Sequence, residues 1–148
     1  MFASSVAFQT MPGLPAHSGV VVNDTFSGVR VRELLVSEMD QAGFSQRQIR
    51  DVELAFTEAL VNALRHGNQD DPHNVVRIQY RIDAAGLWLR IEDEGGGFQL
   101  DQVGDLTLPE NLDRPGGRGL LLMKSLMSHI ELNARGNQVV MRLLRSAA

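Results

Sequence analysis

The chain contains no cysteine, which excludes disulfides, thiolate metal centres and cysteine nucleophiles. No apolar run approaches the roughly 20 residues needed to cross a bilayer. The opening stretch MFASSVAFQTMP lacks the basic start and sustained apolar core of a secretion signal. There is no excess of positive charge either. Fourteen Lys and Arg face 18 Asp and Glu, a net charge of −4, which argues against broad electrostatic binding to nucleic acid or anionic membrane. Internal repeats are absent. What remains is the expectation of a soluble, cytoplasmic chain that contacts neither nucleic acid nor membrane directly. Its 148 residues suit one domain, and 43% hydrophobic content is too high for a disordered one.

The first stretch, residues 1–26, reads as an extended arm. Its only formally charged side chain is Asp24, Pro12 and Pro15 break any helix, and a strand is expected around Val20–Val22. The remainder, 27–148, reads as a single domain. A first helix is expected from near Ser27, burying Val31, Leu34 and Leu35 and ending at Gly43. A second has a strong start signal. Ser45 and Gln48 have capping-box spacing, Phe44 and Ile49 that of a hydrophobic staple, and an apolar stripe runs from Val52 to Leu64 before Gly67 ends it.

Two strands follow. Val76, Ile78, Tyr80 and Ile82 alternate with Arg77, Gln79 and Arg81, and Leu87, Leu89 and Ile91 alternate with Trp88, Arg90 and Glu92, with a turn at Ala85-Gly86. Gln99–Pro115 is longer than an ordinary connection and reads as a lid or binding segment. A third helix is expected after Gly119, with Leu120, Met123, Met127 and Ile130 on one stripe. Strands at about His129–Asn133 and Gln138–Leu144 close the chain. The order predicts an α+β fold: a two-layer α/β sandwich with about three helices on one face of a mixed, mostly antiparallel sheet.

Three segments carry potential chemistry. Glu58, Asn62 and His66 are four apart, so each lies about 40° round from the last on one helix face. From this helix alone the simpler reading is a polar stripe facing solvent. The functional reading is a carboxylate and an amide oxygen aimed at a cation or phosphate, where one protein ligand suffices if phosphates and water complete a magnesium shell. His66, at the helix end, reads first as a capping and packing residue. In Ile-Glu-Asp-Glu-Gly-Gly-Gly-Phe, strand parity turns Asp93 inward with Ile91, and Glu92 and Glu94 outward. A solvated glycine hairpin explains that segment, and so does a carboxylate recognising an exocyclic amine beside glycines that admit the ligand. In Arg-Pro-Gly-Gly-Arg-Gly-Leu-Leu-Leu-Met, glycines open onto a helix N-terminus, a ready phosphate site. Neither a P-loop nor the Gly-x-Gly-x-x-Gly pattern is present: Met123 precedes Lys124-Ser125, and Leu122 stands where the last glycine belongs.

Together these segments resemble the ATP-binding domain of the GHKL superfamily (the Bergerat fold), and most closely the small anti-sigma factor serine/threonine kinases of the RsbW type. Glu58-Ala-Leu-Val-Asn62-Ala-Leu-Arg-His66-Gly67 resembles the N box, Asp93-Glu-Gly95-Gly-Gly97-Phe98 the first glycine box, and Gly117-Arg-Gly119-Leu120 the second. The resemblance covers about Ser27 to Arg145. The second box departs from the commoner pattern in carrying Arg118 between its glycines and three leucines after them.

The resemblance implies that Asn62 holds Mg2+ against the phosphates of ATP, and that Asp93 binds the adenine amino group, supported by Gly95 and Gly97. It implies that Gly117, Arg118 and Gly119 line the lid and touch phosphate, and that Glu58 is the general base. His66, Phe98, Gly116 and Leu120 complete the implied nucleotide-binding set. The implied partners are a STAS-domain antagonist as phosphoacceptor and a sigma factor or similar regulator to be sequestered. The family often dimerises, so a homodimer is a further expectation. Alternatives from other classes are a nucleotide-dependent module that sequesters partners without phosphorylating them, and a detached histidine-kinase-like ATPase.

Overall fold

The computed structural model describes residues 7–9, 19–95 and 117–145. Six strands are seen: β1 (Ala7–Gln9), β2 (Gly19–Val22), β3 (Val76–Ile82), β4 (Gly86–Glu92), β5 (His129–Leu132) and β6 (Gln138–Leu144). They form one sheet in the order β1-β2-β3-β4-β6-β5, and every pairing among the described residues is antiparallel. Helices α1 (Thr25–Gln41), α2 (Gln46–Val61) and α3 (Gly117–Leu126) supply the second layer.

Local signals explain most boundaries. Asp24 caps α1 by accepting from the Ser27 N–H at 2.7 Å, so the helix starts two residues before the expected Ser27. It ends at Gln41, and Gly43, just beyond it, takes φ +87°, which suits a residue without Cβ. The capping box of α2 forms as expected, Ser45 and Gln48 each accepting from the other's backbone N–H, and the staple residues Phe44 and Ile49 are both buried. In the β3–β4 turn, Asp83 accepts from the Ala85 and Gly86 N–H groups. A Cβ at Gly86 would lie 2.0 Å from the Leu143 carbonyl oxygen, so the turn requires glycine.

The core lies between the layers. Val20, Ile78, Leu89, Ile91 and Met141 from the sheet meet Leu35, Met39, Val52, Phe56 and Leu60 from α1 and α2, and Met123 from α3. The β3 and β4 alternation holds on the core face. Gln79 on the opposite face is also buried, because Arg90 donates to its side-chain oxygen across the strand pair. One burial expectation fails. Leu34 is 45% exposed, because the buried stripe of α1 runs through Val31, Leu35 and Met39 and leaves Leu34 on its solvent side.

Two departures shape the site. α3 begins at Gly117 rather than after Gly119, so both glycines lie within its first turn. And α2 continues through a π-helical turn, Asn62–Gly67, in which the Asn68 N–H reaches the Ala63 carbonyl five residues back at 2.8 Å. Such turns often sit at functional sites, since the extra residue per turn re-aims side chains.

Candidate nucleotide-binding site

A narrow cleft, open to solvent, lies between the end of α2, the start of α3, the C-terminal end of β4 and the β5–β6 turn. Its lining includes Asn62, Asp93, Leu120, Met123, Gly136 and Asn137. Asn62 is 8% exposed, and its Nδ2 is buried without a hydrogen-bond partner. Burial against the cleft removes the solvent-facing reading for Asn62, and a buried N–H without a partner costs about 1–3 kcal/mol. Glu58, half-buried one turn earlier, meets Asn62 at Gly119. A Cβ on Gly119 would stand 2.8 Å from Glu58 Oε2 and 3.1 Å from Asn62 Nδ2. The N box and the second glycine box therefore converge, and the glycine allows the first turn of α3 to come this close.

Asp93 forms the other end of the cleft. It follows β4 in the inward series and is 7% exposed, while Glu94 is exposed. Its N–H donates to the Asn137 carbonyl at 2.8 Å, and its carbonyl accepts from Asn137 Nδ2 at 2.9 Å. Its Oδ1 accepts from the Gly95 N–H at 2.9 Å. Burial pushes the Asp93 carboxyl up to about 6 against an ordinary 3.8. The Gly95 N–H and the Arg135 charge oppose that rise, and Glu92 adds to it.

Glycine is needed where the π turn meets this loop. A Cβ at Gly67 would lie 2.2 Å from Asp93 Cγ, and one at Gly95 would lie 1.6 Å from the Gly67 carbonyl oxygen. Asn68, 3% exposed, ties the elements together. Its Nδ2 donates to the Val75 carbonyl at 3.1 Å, and its Oδ1 accepts from the Glu94 N–H at 2.8 Å.

The structure thus brings Asn62, Asp93 and the 2% exposed Leu120 to one cleft, with Glu58 and Gly119 beside Asn62 and Gly95 beside Asp93. His66 is exposed on the π turn and Arg118 is exposed in the first turn of α3. Gly97, Phe98, Gly116 and the segment Gln99–Pro115 lie outside the described residues. Sequence reasoning missed Asn68, Arg135, Gly136 and Asn137. The available signal was asparagine beside glycine, at Asn68 after Gly67 and at Asn137 after Gly136, but nothing in the sequence says which backbone each amide reaches. Among the described residues no three His, Asp or Glu side chains gather around a metal position. The oxygens present fit a cation held mainly by phosphates: the amide oxygen of Asn62 beside the Glu58 carboxylate at Gly119.

Residues 25–143, from α1 almost to the end of β6, match the histidine kinase-like ATPase domain. The chain belongs to this family. Within it the chain is similar to the serine-protein kinase RsbW of Bacillus subtilis, at 30% identity over 88% of this chain and 80% of that protein. The serine-protein kinase RsbW of Oceanobacillus iheyensis is 29% identical with the same coverage, and that of Listeria innocua is 31% identical over 62% of each chain. These relatives place the chain in the RsbW group of the family. Among the described residues no helix is long and apolar enough to cross a membrane.

Proposed function

We propose that this chain is a cytoplasmic, ATP-dependent protein serine/threonine kinase that works by partner switching. It transfers the γ-phosphoryl group of ATP to a hydroxyl of a STAS-domain antagonist, and it sequesters a sigma factor or similar regulator. The observation that carries the reading is the meeting of Glu58 and Asn62 at Gly119, in a cleft that also holds the buried Asp93.

Asp93 accepts a hydrogen bond from the adenine amino group, with Gly95 holding its other lone pairs in place. The N–H groups of the first turn of α3 face the phosphates. Asn62 turns its amide oxygen to Mg2+, which supplies charge neutralisation at the phosphates when bound. Glu58 accepts the proton of the incoming serine or threonine hydroxyl. The oxygen then bonds to the γ-phosphorus as the bond to the β-phosphate oxygen breaks and ADP leaves. Such transfers depend on positioning and charge neutralisation more than on covalent chemistry, so one base and one amide ligand suffice.

Radiolabelled ATP incubated with the chain and candidate STAS proteins tests the reading. Label on a partner serine or threonine is the expected result. Partner binding without label would replace it with sequestration alone, and phosphate release without any partner would replace it with a free-standing ATPase.

A further inference from the structure

The β5–β6 turn forms one wall of the cleft, through Gly136, Asn137 and Gln138. Its shape is fixed internally. Gly136 takes φ +75° and its N–H donates to the Asn133 carbonyl at 3.0 Å. Asn133 Nδ2 donates to Asn137 Oδ1 at 2.8 Å, and Asn133 Oδ1 accepts from the Gln138 N–H at 3.1 Å. Arg135 is carried on this braced turn, and its Nη2 donates to the Gly95 carbonyl at 3.0 Å. Gly95 is the residue whose N–H binds the Asp93 carboxylate. The guanidinium therefore touches the same two-residue loop that holds the buried acid.

The charges around Asp93 come from few places among the described residues. β4 contributes Glu92, which favours the protonated form. Glu92 and the neighbouring Glu94 each lie within 4 Å of Arg77 on β3, at 3.8 and 3.7 Å. The π turn presents Gly67 to the carboxylate, while its Arg65 and His66 are exposed. The start of α3 has Arg118, also exposed. Arg135 is the cation that acts directly to keep Asp93 charged against burial.

Ionisation decides what the cleft can read. A carboxylate only accepts, so it pairs with an exocyclic amine, whereas a neutral carboxyl carries an O–H and can donate to a purine carbonyl. We propose that Arg135 is a specificity-setting positioning residue: anchored on the Gly95 carbonyl, it keeps Asp93 an acceptor and so makes the cleft choose an amino-purine nucleotide over an oxo-purine one. This inference rests on the reading of Asp93 as the adenine contact.

Affinities of ATP and GTP from pH 5 to 8 test it in wild type, Arg135→Gln and Arg135→Lys. Variant-to-wild-type ratios are read, in which phosphate ionisation cancels. Because Arg135 is exposed, its effect is screened. Arg135→Gln is expected to weaken ATP about two- to threefold more at pH 6 than at pH 8, with the ATP-over-GTP preference at pH 6 falling by a similar factor. Arg135→Lys should restore the pH profile, and 0.5 M salt should shrink the difference. A ratio constant across pH, or Lys and Gln variants that behave alike, overturns the inference and leaves Arg135 a structural contact. A wild type that does not prefer ATP to GTP overturns the Asp93 reading and this inference with it.

Discussion

Gly67→Ala is the sharpest probe of the cleft, because one methyl group separates folding from ligand recognition. The added Cβ would lie 2.2 Å from Asp93 Cγ and 2.3 and 2.5 Å from its two oxygens, so the carboxylate must leave its position. Alanine is the better helix former by about 1 kcal/mol, while overpacking a filled site costs about 1–3 kcal/mol. The ligand-free protein should therefore lose roughly 0–2 kcal/mol, and it should still fold. The displaced carboxylate gives up its contact with the Gly95 N–H and, on the proposed reading, its place opposite the adenine amine. Hydrogen bonds to charged groups contribute about 1.5–3 kcal/mol, so ATP affinity should fall roughly tenfold to a hundredfold. Calorimetric titration with ATP and with inorganic triphosphate, beside urea unfolding, reads both effects. The triphosphate should bind as it does to wild type. ATP affinity within twofold of wild type, with an unchanged unfolding midpoint, would refute the argument that Gly67 makes room for Asp93.

Three further outcomes are expected. Because Asp93 holds its proton up to about pH 6 in the folded state against an ordinary 3.8, its contribution to stability is full below pH 4 and is lost as pH rises through 6. Asp93→Asn should therefore unfold with more difficulty than wild type above pH 6.5, by about 2–3 kcal/mol, and converge with it near pH 4, while losing ATP more than triphosphate. A stability difference that does not change with pH would contradict this. Asn62→Ala should abolish magnesium-dependent ATP binding while removing a buried amide that lacks a partner, so unchanged calorimetric affinity would sink the ligand assignment. Glu58→Ala should bind ATP nearly as wild type but transfer phosphate about 10²–10⁴-fold more slowly, and transfer at the wild-type rate would show that Glu58 is not the base.

How much was legible in advance depended on the range of the interaction. The capping box of α2, the left-handed Gly43 just past α1 and the inward direction of Asp93 follow from spacings of two to four residues, and each appears as the sequence predicts. Leu34 was misjudged because the apolar stripe of α1 has more candidates than places, and only packing against α2 and the sheet chooses among them. Asn62 looked like a solvent-facing amide for the same reason. The sequence places it on the Glu58 face of the helix but says nothing of α3, whose first turn covers that face. The π turn is equally invisible locally, since α-helical and π-helical turns draw on the same residues.

By itself, then, the sequence determined all but β1 and the π turn among the elements, the inward acid and the three boxes whose order identifies the family, because each is set by neighbours along the chain. Tertiary structure decided what those boxes face. It set Gly119 against Glu58 and Asn62, and Gly67 against Asp93, and it brought Arg135 and Asn137 from the far hairpin onto the same loop. These are contacts between residues 26 to 61 positions apart, and their geometry follows from the antiparallel pairing of β4 with β6 and the packing of α3 on α2.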